Sequence, residues 1–196
     1  MFALIDRSKR CIFLILYTLS LMLLPAPAIA TDSAVILMYH RFDESRYPTT
    51  NTTIEQFKAH LAELRTGNYE VKPIPEILAT IRSGKKFVKK TVGISIDDAF
   101  LSVYKVGWPM LREANFPATL FVATKALDRK GSNYMSWDQL REMVRAGVTI
   151  GSQTASHLHM PLNSAEQNLV DLKASISRFK SELGVVPDII AYPYGE

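Results

Sequence analysis

Short unbroken apolar runs alternate along this chain with longer stretches whose apolar residues recur every three or four positions. The first pattern predicts buried strands and the second predicts amphipathic helices. Ala34 to Tyr39 is an apolar run ending at His40. Thr53 and Gln56 form a capping box, and Ile54, Phe57, Leu61 and Leu64 share one helical face that stops at Gly67. Tyr69 to Ile74 is a short extended piece; a second helix begins near Pro75, with Ile77, Leu78 and Ile81 inward as far as Gly84. Thr91 to Ile96 is a β-branched run closed by Asp97 and Asp98. Val103 to Ala114 carries a helical pattern, and Pro109 predicts an end or a kink in its first part. Ala118 to Ala123 is the next strand. Ser136 and Gln139 cap a helix bearing Trp137, Leu140, Met143 and Val144, with Gly147 as its stop. Val148 to Ser152 is strand-like. From Ser164 a long helix should turn Leu169, Leu172, Ile176, Phe179 and Leu183 inward, capped by Gly184, and Ile189 to Tyr192 is a last strand.

Repeated βα units of this kind predict an α/β domain built on a parallel sheet or barrel. No linker, low-complexity tract or internal repeat interrupts residues 31–196. The pattern halts just after a strand and a Pro-Tyr-Gly turn, whereas complete eight-unit barrels run to about 250 residues. The expected fold is therefore an incomplete or distorted (β/α) barrel, with residues 31–196 as the amino-terminal part of a longer domain.

Residues 1–30 read differently. Arg7, Lys9 and Arg10 precede a mostly apolar stretch from Cys11 to Leu24, and Ala28-Ile29-Ala30 offers small residues for a peptidase. This is a secretory signal with cleavage expected before Thr31; an uncleaved anchor is the alternative. The apolar stretch falls short of the roughly 20 residues of a spanning helix. Export to a bacterial periplasm or exterior follows. The only cysteine, Cys11, lies in the leader, so the exported chain has no disulfide to lean on. Removing the leader takes three basic groups and one acidic group, leaving 20 Lys and Arg against 18 Asp and Glu. The excess of positive charge is thus largely the leader's, and no nucleic-acid footprint remains.

The candidates for chemistry follow the strands. His40 ends the first, Asp97 and Asp98 the third, Gln153 and His157 the fifth, and Tyr194 the sixth. In α/β architectures the carboxyl ends of strands gather on one face, where ligands bind. Two adjacent carboxylates there suit metal-assisted hydrolysis, one holding a cation and the other taking a proton from water. Blander roles compete with each. Asp98 is a plausible helix cap, His157 and His159 fit a polar loop, Tyr194 fits a tight turn, and His60 reads as a surface residue. The Lys85-Lys86 and Lys89-Lys90 pairs read as a solvated loop. Asn51-Thr52-Thr53 matches a glycosylation acceptor, which a bacterial exported chain would not use.

Taken together the residues resemble the polysaccharide deacetylase family, with its NodB-homology domain. Ile94-Ser95-Ile96-Asp97-Asp98-Ala99-Phe100 is similar to the family's Thr-Phe-Asp-Asp-Gly motif. Gly151-Ser152-Gln153-Thr154-Ala155-Ser156-His157 is similar to its His-Ser/Thr-x-x-His stretch, and Ala191-Tyr192-Pro193-Tyr194-Gly195 to its third motif. Val35-Ile36-Leu37-Met38-Tyr39-His40 resembles the opening strand of many members. The resemblance implies that Asp97 is the general base and that Asp98 and His157 bind a divalent cation, commonly zinc. The backbone N–H of Tyr194 would hold the oxyanion, and His40, Pro193 and Tyr194 would line the substrate cleft. The implied substrate is an N-acetylated polysaccharide of chito-oligosaccharide, poly-N-acetylglucosamine or peptidoglycan type, cut at a carbon–nitrogen bond.

Two departures stand out. Gln153 occupies the place of the family's first metal histidine, and a neutral amide is a poorer zinc ligand than imidazole. His159, on the same side of an extended segment, would replace it, or a water would complete the shell. The family's general-acid histidine lies in later motifs, which would fall beyond Glu196, so residues 31–196 alone are expected to show little activity. Gln153 also keeps open a catalytically weak carbohydrate-binding relative, and the fold itself leaves open another amide or ester substrate.

Overall fold

The computed structural model describes residues 32–129 and 133–196; the proposed leader lies outside them. The chain runs β1 (Ala34–Tyr39), β2 (Arg41–Phe42), β3 (Asn51–Thr52), α1 (Ile54–Thr66), β4 (Tyr69–Val71), α2 (Ile74–Arg82) and β5 (Lys90–Asp97). A π-helical turn over Val103–Gly107 leads into α3 (Trp108–Ala114), followed by β6 (Thr119–Val122), α4 (Thr124–Leu127), α5 (Trp137–Arg145), β7 (Thr149–Ser152) and α6 (Ala165–Leu183). Short 3-10 turns lie at Met160–Leu162 and Pro193–Gly195.

β5 organises the sheet. β1 pairs with it in parallel along almost its whole length, from Ala34 opposite Thr91 to Tyr39 opposite Ile96. Its other edge is shared: β4 pairs with Lys90 to Val92, and β6 with Ser95 to Asp97. β7 then pairs in parallel with β6. The result is an open α/β parallel sheet, with no closed barrel among the described residues. Every residue of β5 after Lys90 is buried, as expected of a strand covered on both faces. Gly93 permits a close approach: a Cβ there would lie 2.6 Å from Ile36 Cδ1 and 2.9 Å from Ile77 Cδ1. Above the sheet, Phe42, Phe57 and Tyr39 interlock with α1, while Leu120, Leu140, Met143 and Phe179 fill the far half of the core.

Local signals set the helix starts. The capping boxes at Thr53/Gln56, Ser136/Gln139 and Ser164/Gln167 all form with both reciprocal hydrogen bonds. Pro109 sits at the second position of α3, and the π turn before it carries the chain past the missing N–H, so the helical path continues where a break was expected.

Three expectations need correction. Ile189 to Tyr192 makes only a single parallel bridge, Ser152 to Ile190, because Pro187 and Pro193 bracket the segment and shorten it. Ile81 in α2 is exposed. In α6 the inward face is Asp171, Ser175 and Phe179; Leu169 and Ile176 are exposed at 50% and 44%, and Leu172 and Leu183 only half-buried. Polar residues took the buried stripe because the loop after β7 needs hydrogen-bond partners there, as the site shows. The contrast is measurable by chemical denaturation. Phe179→Ala should cost about 3–5 kcal/mol of stability, whereas Leu169→Ala should change it by no more than about 0.5 kcal/mol.

Candidate active site

The parallel register brings the carboxyl ends of β1, β5, β6 and β7 to one edge of the sheet. His40 follows β1 beside Asp97, because Tyr39 is opposite Ile96. Asp97 is the last residue of β5 and is 8% exposed. Beyond it the backbone turns sharply: Asp98 and Ala99 adopt φ of 71° and 56°, left-handed values that cost non-glycine residues energy. Thr154, His157 and Tyr194 are left-handed as well, at 65°, 54° and 61°. Most of the backbone strain in the described residues is therefore gathered at this edge.

The strain is held by long-range hydrogen bonds. Asp98 N–H donates to the Phe121 carbonyl at 3.1 Å and to Gln153 Oε1 at 3.2 Å. Met135 N–H donates to the Ala99 carbonyl, and Leu101 N–H to the Asn133 carbonyl, so Tyr134 is drawn against Phe100. On the other side of Phe100 lies the Arg41 guanidinium, sandwiched at 3.4 Å from that ring and 3.8 Å from Tyr47, and paired with Glu44 at 2.8 Å. The loop after β7 is tied down by Asp171 of α6. Its Oδ2 accepts from Ala155 N–H at 2.8 Å and Ser156 N–H at 3.0 Å, and the Ser156 hydroxyl donates to Oδ1. Burial pushes the Asp171 carboxyl up, but the hydrogen bonds from Ser156 and Ala155 outweigh it and hold the group below its usual range. Ser175 Oγ lies 3.0 Å from Ser152 Oγ, and Thr154 Oγ1 accepts from His157 N–H at 3.1 Å.

This framework sets Asp98 Oδ1 and His157 Nε2 3.2 Å apart, both partly exposed. The Asp98 carboxylate raises the pKa of His157 through that hydrogen bond, with burial acting against it. His40 is lowered, by burial first, with Asp98 opposing. Asp97 is raised to about 7, by burial first and then by the negative charge of Asp98; His157 and the Gln153 amide act in the opposite direction. A cleft of about 350 Å³ opens over the pair, lined by Asp98, His157, Tyr194, Tyr134, Lys125 and Arg129.

Four expected site residues thus converge: Asp97, Asp98 and His157, with His40 alongside. Tyr194 reaches the same cleft, its ring 4.6 Å from that of His157. Three placements differ. Gln153 is 2% exposed and its amide is occupied by Asp97 and the Asp98 N–H. The ring of His159 stacks on Tyr194 and its Nδ1 lies 3.0 Å from Glu196, a carboxylate that competes for it. Pro193 is buried and shapes the turn, leaving Tyr194 as the exposed residue that faces the cleft. Sequence reasoning missed Asp171, Arg41 and Tyr134. Nothing in the local pattern marked any of the three: Asp171 lies off the apolar stripe that the helical period picks out. His60 is exposed as expected, though its Nδ1 lies 3.1 Å from the Tyr39 hydroxyl.

Asp98 and His157 fit a divalent cation as a pair. Two donors at about 2.0–2.2 Å from a tetrahedral ion stand roughly 3.3–3.6 Å apart, and the spacing here is 3.2 Å. No group of three His, Cys, Asp or Glu side chains able to hold a metal occurs among the described residues.

A family model described as polysaccharide deacetylase matches residues 84–196, more than half of the sequence. The chain belongs to the polysaccharide deacetylase family. YxkH of Bacillus subtilis (strain 168), which carries the polysaccharide deacetylase name, is 27% identical over 160 residues, covering 82% of this chain and 56% of YxkH. The poly-beta-1,6-N-acetyl-D-glucosamine N-deacetylase of Staphylococcus aureus (strain MRSA252) is 25% identical over 193 residues, covering 84% of this chain and 65% of that enzyme. The chain therefore spans about 56–65% of the length of the curated relatives it matches. Among solved structures, IcaB from Ammonifex degensii superposes with a TM-score of 0.72 at 27% identity, covering 83% of this chain and 74% of that one. The Streptococcus pyogenes deacetylase PplD, in complex with acetate, shares the fold at a TM-score of 0.75 and 22% identity, with the same coverage.

The raised Asp97 pKa has a stability consequence. In the folded state this carboxyl binds a proton between about pH 4 and 7 that the unfolded chain releases, so stability falls as pH rises through that window. Asp97→Asn removes the penalty. In chelator-treated buffer the variant should melt above the parent at pH 8, by an amount equivalent to at most about 4 kcal/mol, and the gap should close toward pH 4. A gap independent of pH would show that Asp97 is not held protonated.

Proposed function

We propose that this protein is a hydrolase that removes N-acetyl groups from an N-acetylated polysaccharide, acting outside the cytoplasm after export. The observation that carries the proposal is the meeting of Asp98 and His157 at 3.2 Å, beside the buried carboxyl of Asp97, in a cleft open to solvent. The names of the Staphylococcus aureus relative and of other matched proteins support a poly-N-acetylglucosamine type of polymer, with chito-oligosaccharide and peptidoglycan as further candidates.

Asp98 and His157 would hold a divalent cation, zinc by the chemistry of one carboxylate and one imidazole. Bound there, such an ion would polarise the acetyl carbonyl and make a nearby water more acidic. Asp97, with a pKa near neutrality, takes a proton from the attacking water as its oxygen adds to the carbonyl carbon. The backbone N–H of Tyr194, in a left-handed turn beside the cleft, would donate to the oxyanion that develops. When the carbon–nitrogen bond breaks, the amine leaves with a proton and acetate remains. The general-acid histidine expected beyond Glu196 has a candidate within the described residues: His40, half-buried at the end of β1 and within electrostatic reach of Asp98 and His157. Only a protonated His40 could give up a proton to the leaving nitrogen, a form that burial disfavours and the Asp98 carboxylate favours.

A second reading, a carbohydrate-binding relative of weak activity, is favoured by one observation: Gln153 stands where a further metal ligand was expected, and its amide is otherwise engaged.

The test is acetate release from poly-N-acetylglucosamine, chito-oligosaccharide and peptidoglycan. Asp97→Asn should lower kcat by about 10²–10⁴, and His40→Gln by about 10² or more, with both variants folded by circular dichroism. Binding of the polymers without acetate release would favour the second reading. Loss of activity in Asp97→Asn with none in His40→Gln would return the acid to another residue.

A further inference from the structure

Gln153 is almost fully buried, and its amide has only one orientation that satisfies its neighbours. Nε2 donates to Asp97 Oδ2 at 3.3 Å, and Oε1 accepts from the Asp98 N–H at 3.2 Å. Turning the amide over would set an oxygen against a carboxylate and an N–H against an N–H, two repulsive contacts at a buried position. The main chain of Gln153 is fixed too, its N–H donating to the Val122 carbonyl at 3.0 Å. The side chain therefore spans the two carboxylate residues: it grips the carboxylate of one and the backbone of the other.

We propose that Gln153 is a positioning residue for Asp97 and not a cation ligand, so that among the described residues Asp98 and His157 are the side chains that hold the cation. The inference rests on the hydrolase reading above and deepens it. Three features favour it. The oxygen of the amide already serves the N–H of a strained residue, Asp98 with φ 71°, whose turn would lose a restraint if that oxygen moved to an ion. The nitrogen, which cannot ligate a cation, is the atom that faces the proposed base. His159, the other nearby imidazole, is engaged with Tyr194 and Glu196. Catalytic zinc sites commonly take three protein ligands; a two-donor site leaves more of the ion's shell to water and substrate.

The two roles separate in one set of measurements. Zn²⁺ is titrated by calorimetry into the full chain and into Asp98→Ala, His157→Ala, Gln153→Ala and Gln153→Leu; the leucine variant keeps the side-chain volume should the alanine variant fold poorly. Asp98→Ala and His157→Ala should each weaken Zn²⁺ binding by tenfold or more. Both Gln153 variants should bind Zn²⁺ within threefold of the parent, while kcat for acetate release falls by tenfold or more at unchanged KM. A tenfold loss of Zn²⁺ affinity in a folded Gln153 variant would make Gln153 a ligand and overturn the inference, leaving the hydrolase reading intact. An unchanged kcat in those variants would overturn it as well. Undiminished Zn²⁺ binding in Asp98→Ala and His157→Ala would remove the cation site itself, and this inference with it.

Discussion

Two carboxylates on consecutive residues at the end of a buried strand repel one another, and the surrounding structure is arranged around that repulsion. Asp97 stays inside, where burial and its neighbour favour the protonated form. Asp98 is swung out by a left-handed turn onto an imidazole. The Gln153 amide lies between them and meets each with the opposite pole of its dipole. A chain that keeps such a pair unneutralised carries a standing cost, which a bound cation or a transferred proton would relieve. That is the physical ground for placing chemistry here.

The turn at Asp98 and Ala99 persists because distant segments hold it. Arg41 from β2, Tyr47 from the following loop, Phe100 and Tyr134 form a continuous stack behind the turn, joined to it by main-chain hydrogen bonds. Asp171 and Ser175 do the same for the segment that carries His157. These supports come from segments far apart in the sequence, so the relative position of Asp98 and His157 is a property of the packed domain and not of either loop. Preorganisation of this kind lets a charged site work without rearranging during the reaction.

The two histidines near the carboxylates differ in electrostatic character. His157 is drawn toward its charged form by Asp98, whereas His40 is drawn away from it by burial. A cation held by Asp98 and His157 would take the place of the proton that Asp98 favours on His157, since only the neutral ring can ligate. The difference arises from position: His157 approaches the solvent-facing edge with a carboxylate in contact, and His40 is tucked against β5 at the level of Asp97.

Much of the architecture was legible along the chain because it depends on local causes. Apolar runs marked β1, β5, β6 and β7, and the serine, threonine and glutamine spacings marked three helix starts, since a capping box involves only neighbours in sequence. Asp97, Asp98 and His157 were visible as strand-end residues, and the family motifs set them in order. Packing decided the rest. The inward face of α6 went to Asp171 and Ser175 because the loop after β7 needed acceptors, which no periodicity in the helix reveals. The fate of Gln153 and His159 hung on partners 37 to 56 residues away. The sequence by itself determined which strands and helices form and which chemical groups end them, because those outcomes follow from propensity and hydrophobic period. Only the tertiary structure decided which of those groups face an ion and which serve a neighbour, because hydrogen bonds and charges act across space regardless of distance along the chain.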